Sequence, residues 1–75
     1  MTAIMLTRNV AQQNVHRFYK LDVQPDLFGG FSLIREWGRI GRAGQARMEY
    51  FPTRGTADVA LVGHVVRKVE GGYHQ

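Results

Sequence analysis

The sequence contains no cysteine. That excludes a disulfide framework and any thiolate metal site. A chain of 75 residues must then hold its fold by packing, at a size that buries only about 60% of the surface its unfolded form exposes; oligomerisation is the remaining source of extra core. Serine occurs once, at Ser32, outside any G-x-S-x-G context, so the usual serine nucleophile is missing. No linker, repeat or low-complexity tract interrupts the chain. No stretch approaches the roughly 18 apolar residues of a membrane span, and the first eight residues lack the apolar core of a signal peptide. The expectation is a soluble, cytoplasmic chain with no membrane partner.

Acidic residues are also few. Six Asp+Glu against ten Lys+Arg leave a net charge of +4 and a pI near 10.1. At 44% hydrophobic and 21% charged, the composition is that of a globular domain rather than a disordered one. The length fits one domain over residues 1–75 and leaves little room for a deep cleft built from several loops. A self-contained enzyme is therefore disfavoured and a binding module favoured.

Period-two alternation dominates the first fifty residues. Val15, Arg17, Tyr19, Leu21 and Val23 share one strand face, and the turn signals Pro25, Asp26, Gly29 and Gly30 end that strand. A second strand runs from Phe31 to Ile40, with Phe31, Leu33, Arg35, Trp37 and Arg39 on one face. Gly41-Arg42-Ala43-Gly44 reads as a hairpin loop and Gln45–Phe51 as its return strand. Ile4–Val10 is a weaker strand candidate, followed by a polar connector at Ala11–Asn14.

After Pro52 the period becomes helical. Val59, Leu61, Val62, Val65, Val66 and Val69 fall in one arc, with Asp58 the only polar residue inside it and His64, Arg67, Lys68 and Glu70 outside. Thr53 or Thr56 suits the N-cap, and Gly71-Gly72 the C-terminal stop. The expected fold class is α+β: an antiparallel sheet of about four strands with one C-terminal helix on one face. The pattern allows either face, and Trp37 becomes core or sheet edge if the helix lies on its side.

Little in the sequence points to catalysis. His16, His64 and His74 are scattered, without a metal-ligand spacing, and the six carboxylates form no resolvable pair. No metal and no cofactor is expected. The glycines at 38, 41 and 44 spell neither a dinucleotide fingerprint nor a P-loop, because a strand and not a helix follows them; hairpin geometry is their expected role.

Arginine carries the sharper signal. Eight of the ten basic residues are arginine, the side chain whose planar fork pairs with phosphate and stacks on rings. Arg35, Arg39, Arg42, Arg47 and Arg54, set against Glu36 and Glu49, put a net +3 of the chain's +4 on one hairpin and its exit, a basic patch in sequence. Trp37, flanked on its face by Arg35 and Arg39, is either a platform for a nucleotide with its phosphates or an anchor of the core.

The string Trp37-Gly38-Arg39-Ile40-Gly41-Arg42-Ala43-Gly44-Gln45 resembles the signature of the WGR domain: W-G-R, an aliphatic residue, G, two variable positions, then G-Q. Phe18–Leu21, Phe31–Leu33, Lys68 and Gly72-Tyr73 also follow that family's order, so the resemblance covers nearly the whole chain. It implies an antiparallel sheet backed by a helix. It also implies a role like that of the WGR module in DNA-dependent poly(ADP-ribose) polymerases, which helps recognise DNA ends and breaks through sugar and phosphate contacts. The stacking tryptophan of the family would be Trp37 and its motif arginine Arg39. Polymerase activity does not transfer, since no transferase domain fits in 75 residues; short stand-alone bacterial WGR proteins are the nearest likeness.

Two functions follow as expectations. One is a non-enzymatic nucleic-acid-binding module, DNA more than RNA, directed at ends or nicks. Trp37, Arg39, Arg42 and Arg47, with Arg35 and Arg54, would make the contacts, while Gly38, Gly41, Gly44 and Gln45 shape the hairpin. The alternative is a protein-interaction or homodimerisation module with no nucleic-acid ligand, using the open strand edges of a small sheet.

Overall fold

A computed structural model describes residues 2–75. Four strands, β1 (Thr2–Val10), β2 (Val15–Pro25), β3 (Phe31–Arg39) and β4 (Gln45–Phe51), precede one helix, α1 (Arg54–Glu70). The strands lie side by side in chain order, each antiparallel to the one before. This is the α+β arrangement expected from the alternation. The first strand begins at Thr2 rather than Ile4, because β2 is long enough to pair with all nine of its residues. The polar connector becomes a 3-10 turn over Ala11–Gln13, closed by Asn14 at φ 53°. At the opposite end Asp26 organises the β2–β3 turn, its carboxylate accepting from the Phe28 amide (2.9 Å) and the Ser32 hydroxyl (3.0 Å).

Register explains the core. Leu6, Tyr19 and Trp37 form one cross-strand row, Ile4, Leu21, Arg35 and Arg47 the next, and Val23, Leu33 and Glu49 a third. All point to one face, since pairing preserves the pleat. Helix α1 lies on that face, where Ala57 and Leu61 join Leu6, Tyr19, Leu21, Val23 and Leu33 in the buried cluster. The helix thus covers the Trp37 side, and Trp37 is half-buried at the margin of this cluster. The other face stays open, leaving Met48 and Tyr50 more than half exposed.

Thr53 caps the helix, its hydroxyl accepting from the Thr56 amide at 3.2 Å. Gly71 ends it, and Gly72 at φ +98° reverses the chain so that the Tyr73 amide donates to the Lys68 carbonyl (2.9 Å). The rotation of the helix differs from the apolar arc. Of the six arc residues only Leu61 is buried and Val65 partly packed, while Val59, Val62, Val66 and Val69 are at least half exposed. The line facing the sheet runs instead through Ala57, Leu61, His64 and Lys68. Fully buried Ala57 brings the backbone close to the strands, and the Lys68 ammonium sits over the Tyr19 ring at 4.7 Å. A tight alanine contact and a cation–aromatic contact outweigh a stripe of valines, which a hydropathy wheel cannot register.

Candidate nucleic-acid interface

The site grows from the Tyr19–Trp37 row. Their rings lie 6.1 Å apart at 38°, and Tyr73 meets Tyr19 edge-on at 6.3 Å, brought there by the Gly71–Gly72 reversal. The pairing of His74 with Thr7 through both backbone groups (2.8 and 2.9 Å) holds that return segment against β1. Cations interleave with the rings. The Arg35 guanidinium lies 5.7 Å from the Trp37 ring centre, and Lys68 lies between Tyr19 and Tyr73.

Trp37 is a wall shared by two clefts. One, of about 290 Å³, is bounded by Tyr19, Arg35, Trp37, His64, Arg67 and Lys68. The other, of about 280 Å³, is bounded by Arg17, Trp37, Gly38, Arg39 and Tyr73. In the first, Arg35 donates from Nη1 to the Tyr19 hydroxyl (3.2 Å), while its buried Nε has no acceptor among the described residues. Arg67 Nη2 lies 2.9 Å from His64 Nδ1. A guanidinium only donates, so Nδ1 accepts and the ring is neutral. Burial holds the His64 pKa below the usual histidine value; Arg35, Arg67 and Lys68 act in the same direction and Glu49 opposes them. In the second cleft Arg39 reaches the Asn14 carbonyl and side chain at 3.4 and 3.3 Å, the left-handed Asn14 having turned both toward it.

The hairpin glycines set this end of the sheet. Gly41 takes φ +86°, which L side chains rarely adopt. Gly44 has a different constraint: a Cβ there would be driven into the Trp37 carbonyl and reach 3.1 Å from the Phe18 ring, and one on Gly38 would lie 2.8 Å from the Gly44 Cα. Phe18 on the open face thus covers two glycines that let β3 and β4 meet directly behind Trp37. Gln45 pairs with Trp37 in register.

Trp37, Arg35 and Arg39 are brought together by β3. Arg47 lies opposite Arg35 on β4. Arg42 stands in the exposed turn, its amide donating to the Arg39 carbonyl at 3.1 Å. Arg54 begins α1 beyond the Phe51 end of β4, six residues along from the partner of Trp37, and its Nε is 3.7 Å from the Asp58 carboxylate. Arg17, Tyr19, His64, Arg67, Lys68 and Tyr73 also line the clefts but were not among the expected site residues. Two signals could have found several of them: His64, Arg67 and Lys68 share a helix face at i, i+3, i+4, and the length of the β2–β3 turn sets Tyr19 opposite Trp37. Among the described residues no three His, Asp or Glu side chains gather as metal ligands, and no helix is long and apolar enough to cross a membrane.

A four-stranded antiparallel sheet, one covering helix and an aromatic–cationic face at one end define a small α+β binding module. The profile of the WGR domain matches residues 2–75, and the chain belongs to that family. The WGR domain is a nucleic-acid-binding module and not itself catalytic. The chain is also similar to the uncharacterized protein y4dW of Sinorhizobium fredii (strain NBRC 101917 / NGR234), 34% identical over 61 residues. That match covers 81% of this chain and 30% of the relative, so the chain spans about a third of that protein's length. No solved structure matches it significantly.

Proposed function

We propose that the chain binds DNA at ends or nicks, through the sugar–phosphate backbone and without catalysis. The observation that carries this reading is the position of Trp37 as the common wall of two clefts whose other walls carry cations. A sugar or terminal base lies against Trp37. The phosphates on either side enter the Arg35–Arg67–Lys68 cleft and the Arg17–Arg39 cleft, with Arg42 and Arg47 flanking. An end or nick favours this pose because the terminal residue is free to leave the stack and meet a half-buried ring. Phosphate contacts carry no base information, so selectivity is for structure and not for sequence. The reading takes DNA over RNA as the ligand and the cytoplasm as the compartment.

The test is titration of labelled blunt-ended, nicked and covalently closed duplexes of equal length. Ends and nicks bind more tightly than closed DNA. Trp37→Leu, which keeps an apolar group against the cluster but removes the ring, weakens end binding by about 5- to 150-fold, the equivalent of roughly 1–3 kcal/mol of stacking. Equal affinity for all three duplexes, or no effect of Trp37→Leu, would defeat the proposal.

A further inference from the structure

The two edges of the sheet are not alike. On β1 the middle of the outer edge is occupied, because Thr7 exchanges both backbone hydrogen bonds with His74. On β4 six of the seven residues are exposed, including those on the helix-covered face, so α1 does not overhang this edge. Its pairing with β3 runs through Gln45–Phe51 without a bulge, and the strand contains no proline. The usual devices that blunt an edge are therefore limited to two charged side chains, Arg47 and Glu49.

Those two charges form no direct pair among the described residues, though Glu49 acts at longer range on His64. Arg47 lies directly opposite Arg35, a like-charged cross-strand pair. Neither Arg47 nor Glu49 has a hydrogen-bond or ion-pair partner among the described residues. The order along β4, Gln-Ala-Arg-Met-Glu-Tyr-Phe, is self-complementary in charge about Met48.

We propose that β4 is a homodimer interface, in which a second copy adds antiparallel to β4 with the two-fold axis at Met48. The axis is perpendicular to the sheet, so paired residues stay on the same face. Arg47 then lies opposite the partner's Glu49 and Glu49 opposite the partner's Arg47, both on the helix side. Met48 meets the partner's Met48, and Ala46 meets the partner's Tyr50, on the open face where Met48 and Tyr50 are 66% and 57% exposed. This register uses the whole strand. Centring on Arg47 or on Glu49 shortens the overlap and sets like charges face to face, and centring on Ala46 or Tyr50 pairs no opposite charges. The Arg47-Met48-Glu49 order, by which the chain itself supplies the carboxylate that faces Arg47 beside its like-charged register partner Arg35, is what selects a second copy of this chain over an unrelated strand. The joined sheet carries both helices, and both Trp37 sites, on one side.

Sedimentation equilibrium of the chain without nucleic acid tests this apart from DNA binding. The mass rises with concentration from one copy, 8.5 kDa, to two. Arg47→Glu and Glu49→Arg each turn two favourable pairs into two like-charged ones and raise the dimer dissociation constant by roughly 30-fold. An equimolar mixture of the two variants, in which every facing pair is again of opposite sign, recovers the two-copy mass, and that recovery also shows both variants to be folded. Because the chain lacks cysteine, Met48→Cys supplies a single thiol at the axis and crosslinks on oxidation, whereas Tyr50→Cys, far from its own copy, does not. A one-copy mass at every concentration overturns the proposal. So does a dimer indifferent to both charge reversals, a mixture no more associated than its components, or equal crosslinking at the two positions.

Discussion

If the Trp37 clefts hold a nucleic-acid backbone, salt dependence measures how many of their cations engage. Five line the two clefts: Arg35, Arg67 and Lys68 in one, Arg17 and Arg39 in the other. Each phosphate neutralised on a duplex contributes about −0.9 to the slope of log affinity against log salt, so full engagement gives a slope of about −4.5. Between 50 and 200 mM salt the affinity then falls roughly 500-fold. Arg39→Ala is the informative change. Its side chain is exposed and makes only two long hydrogen bonds to Asn14, so the fold is little affected while the slope loses about 0.9. Arg54→Ala, at the far end of the sheet, leaves the slope unaltered. Fluorescence anisotropy of a labelled blunt duplex at four or more salt concentrations reads all three values. A wild-type slope shallower than about −2 would show that the clefts do not act together. Equal loss of slope from Arg39→Ala and Arg54→Ala would show that binding is not at Trp37.

Further outcomes follow from the same geometry. The folded-state pKa of His64 is lowered by burial and by Arg35, Arg67 and Lys68, so the unfolded chain binds the extra proton; the contribution of His64 to stability is present above the unfolded value near 6.5 and is lost as pH falls through that window. An anion in the cleft reverses the cationic effect, and the His64 ring titrates at higher pH with an oligonucleotide bound than without; an unmoved NMR titration midpoint contradicts this. Gly44→Ala forces a methyl group against the Trp37 carbonyl and Phe18 and costs about 1–3 kcal/mol, which in a domain of this size lowers the melting temperature by roughly 4–8 °C per kcal/mol. Leu21→Ala, at a fully buried position, costs about 2–5 kcal/mol, whereas Val59→Ala, 74% exposed, changes stability by less than about 0.7 kcal/mol, in the stabilising direction, because alanine is the better helix former. Chemical denaturation of the two variants side by side checks that contrast.

The strands, the turns between them and the single helix were legible because period-two alternation and the Pro, Gly and Asp turns act locally. So were a threonine cap at Thr53 or Thr56, of which the fold uses Thr53, and the Gly71-Gly72 stop, since both depend on neighbours within one turn. The helix rotation was not. Val59, Val62, Val66 and Val69 outnumber Ala57 and Leu61 on any hydropathy count, yet what turns the helix is how closely Ala57 lets the backbones approach and where the Lys68 ammonium finds Tyr19. Of the candidate site, the β3 half was legible as an arrangement, because Arg35, Trp37 and Arg39 alternate along one strand face. Its other half comes from Tyr19, the Arg67–Lys68 turn and Tyr73, residues that only tertiary packing brings to Trp37. Arg47 and Glu49 read in sequence only as part of the hairpin's charge balance; that Arg47 faces Arg35 needed the strand register.

Each strand pairs with the one just before it, and the Thr7–His74 bridge joins the two ends of the described chain. Such a meander lets folding advance by short loop closures, each adding a strand to a neighbour already in place, and belongs with topologies that fold quickly for their β content. Tyr73 reaches Tyr19 only when the segment after the helix has turned back onto the sheet, so the second cleft is completed by the last closure. Trp37 faces that event directly. Its fluorescence during refolding should change in two steps, a first as the sheet and helix collapse and a second as the tail docks. The rate of the second step is the rate at which a binding-competent face appears.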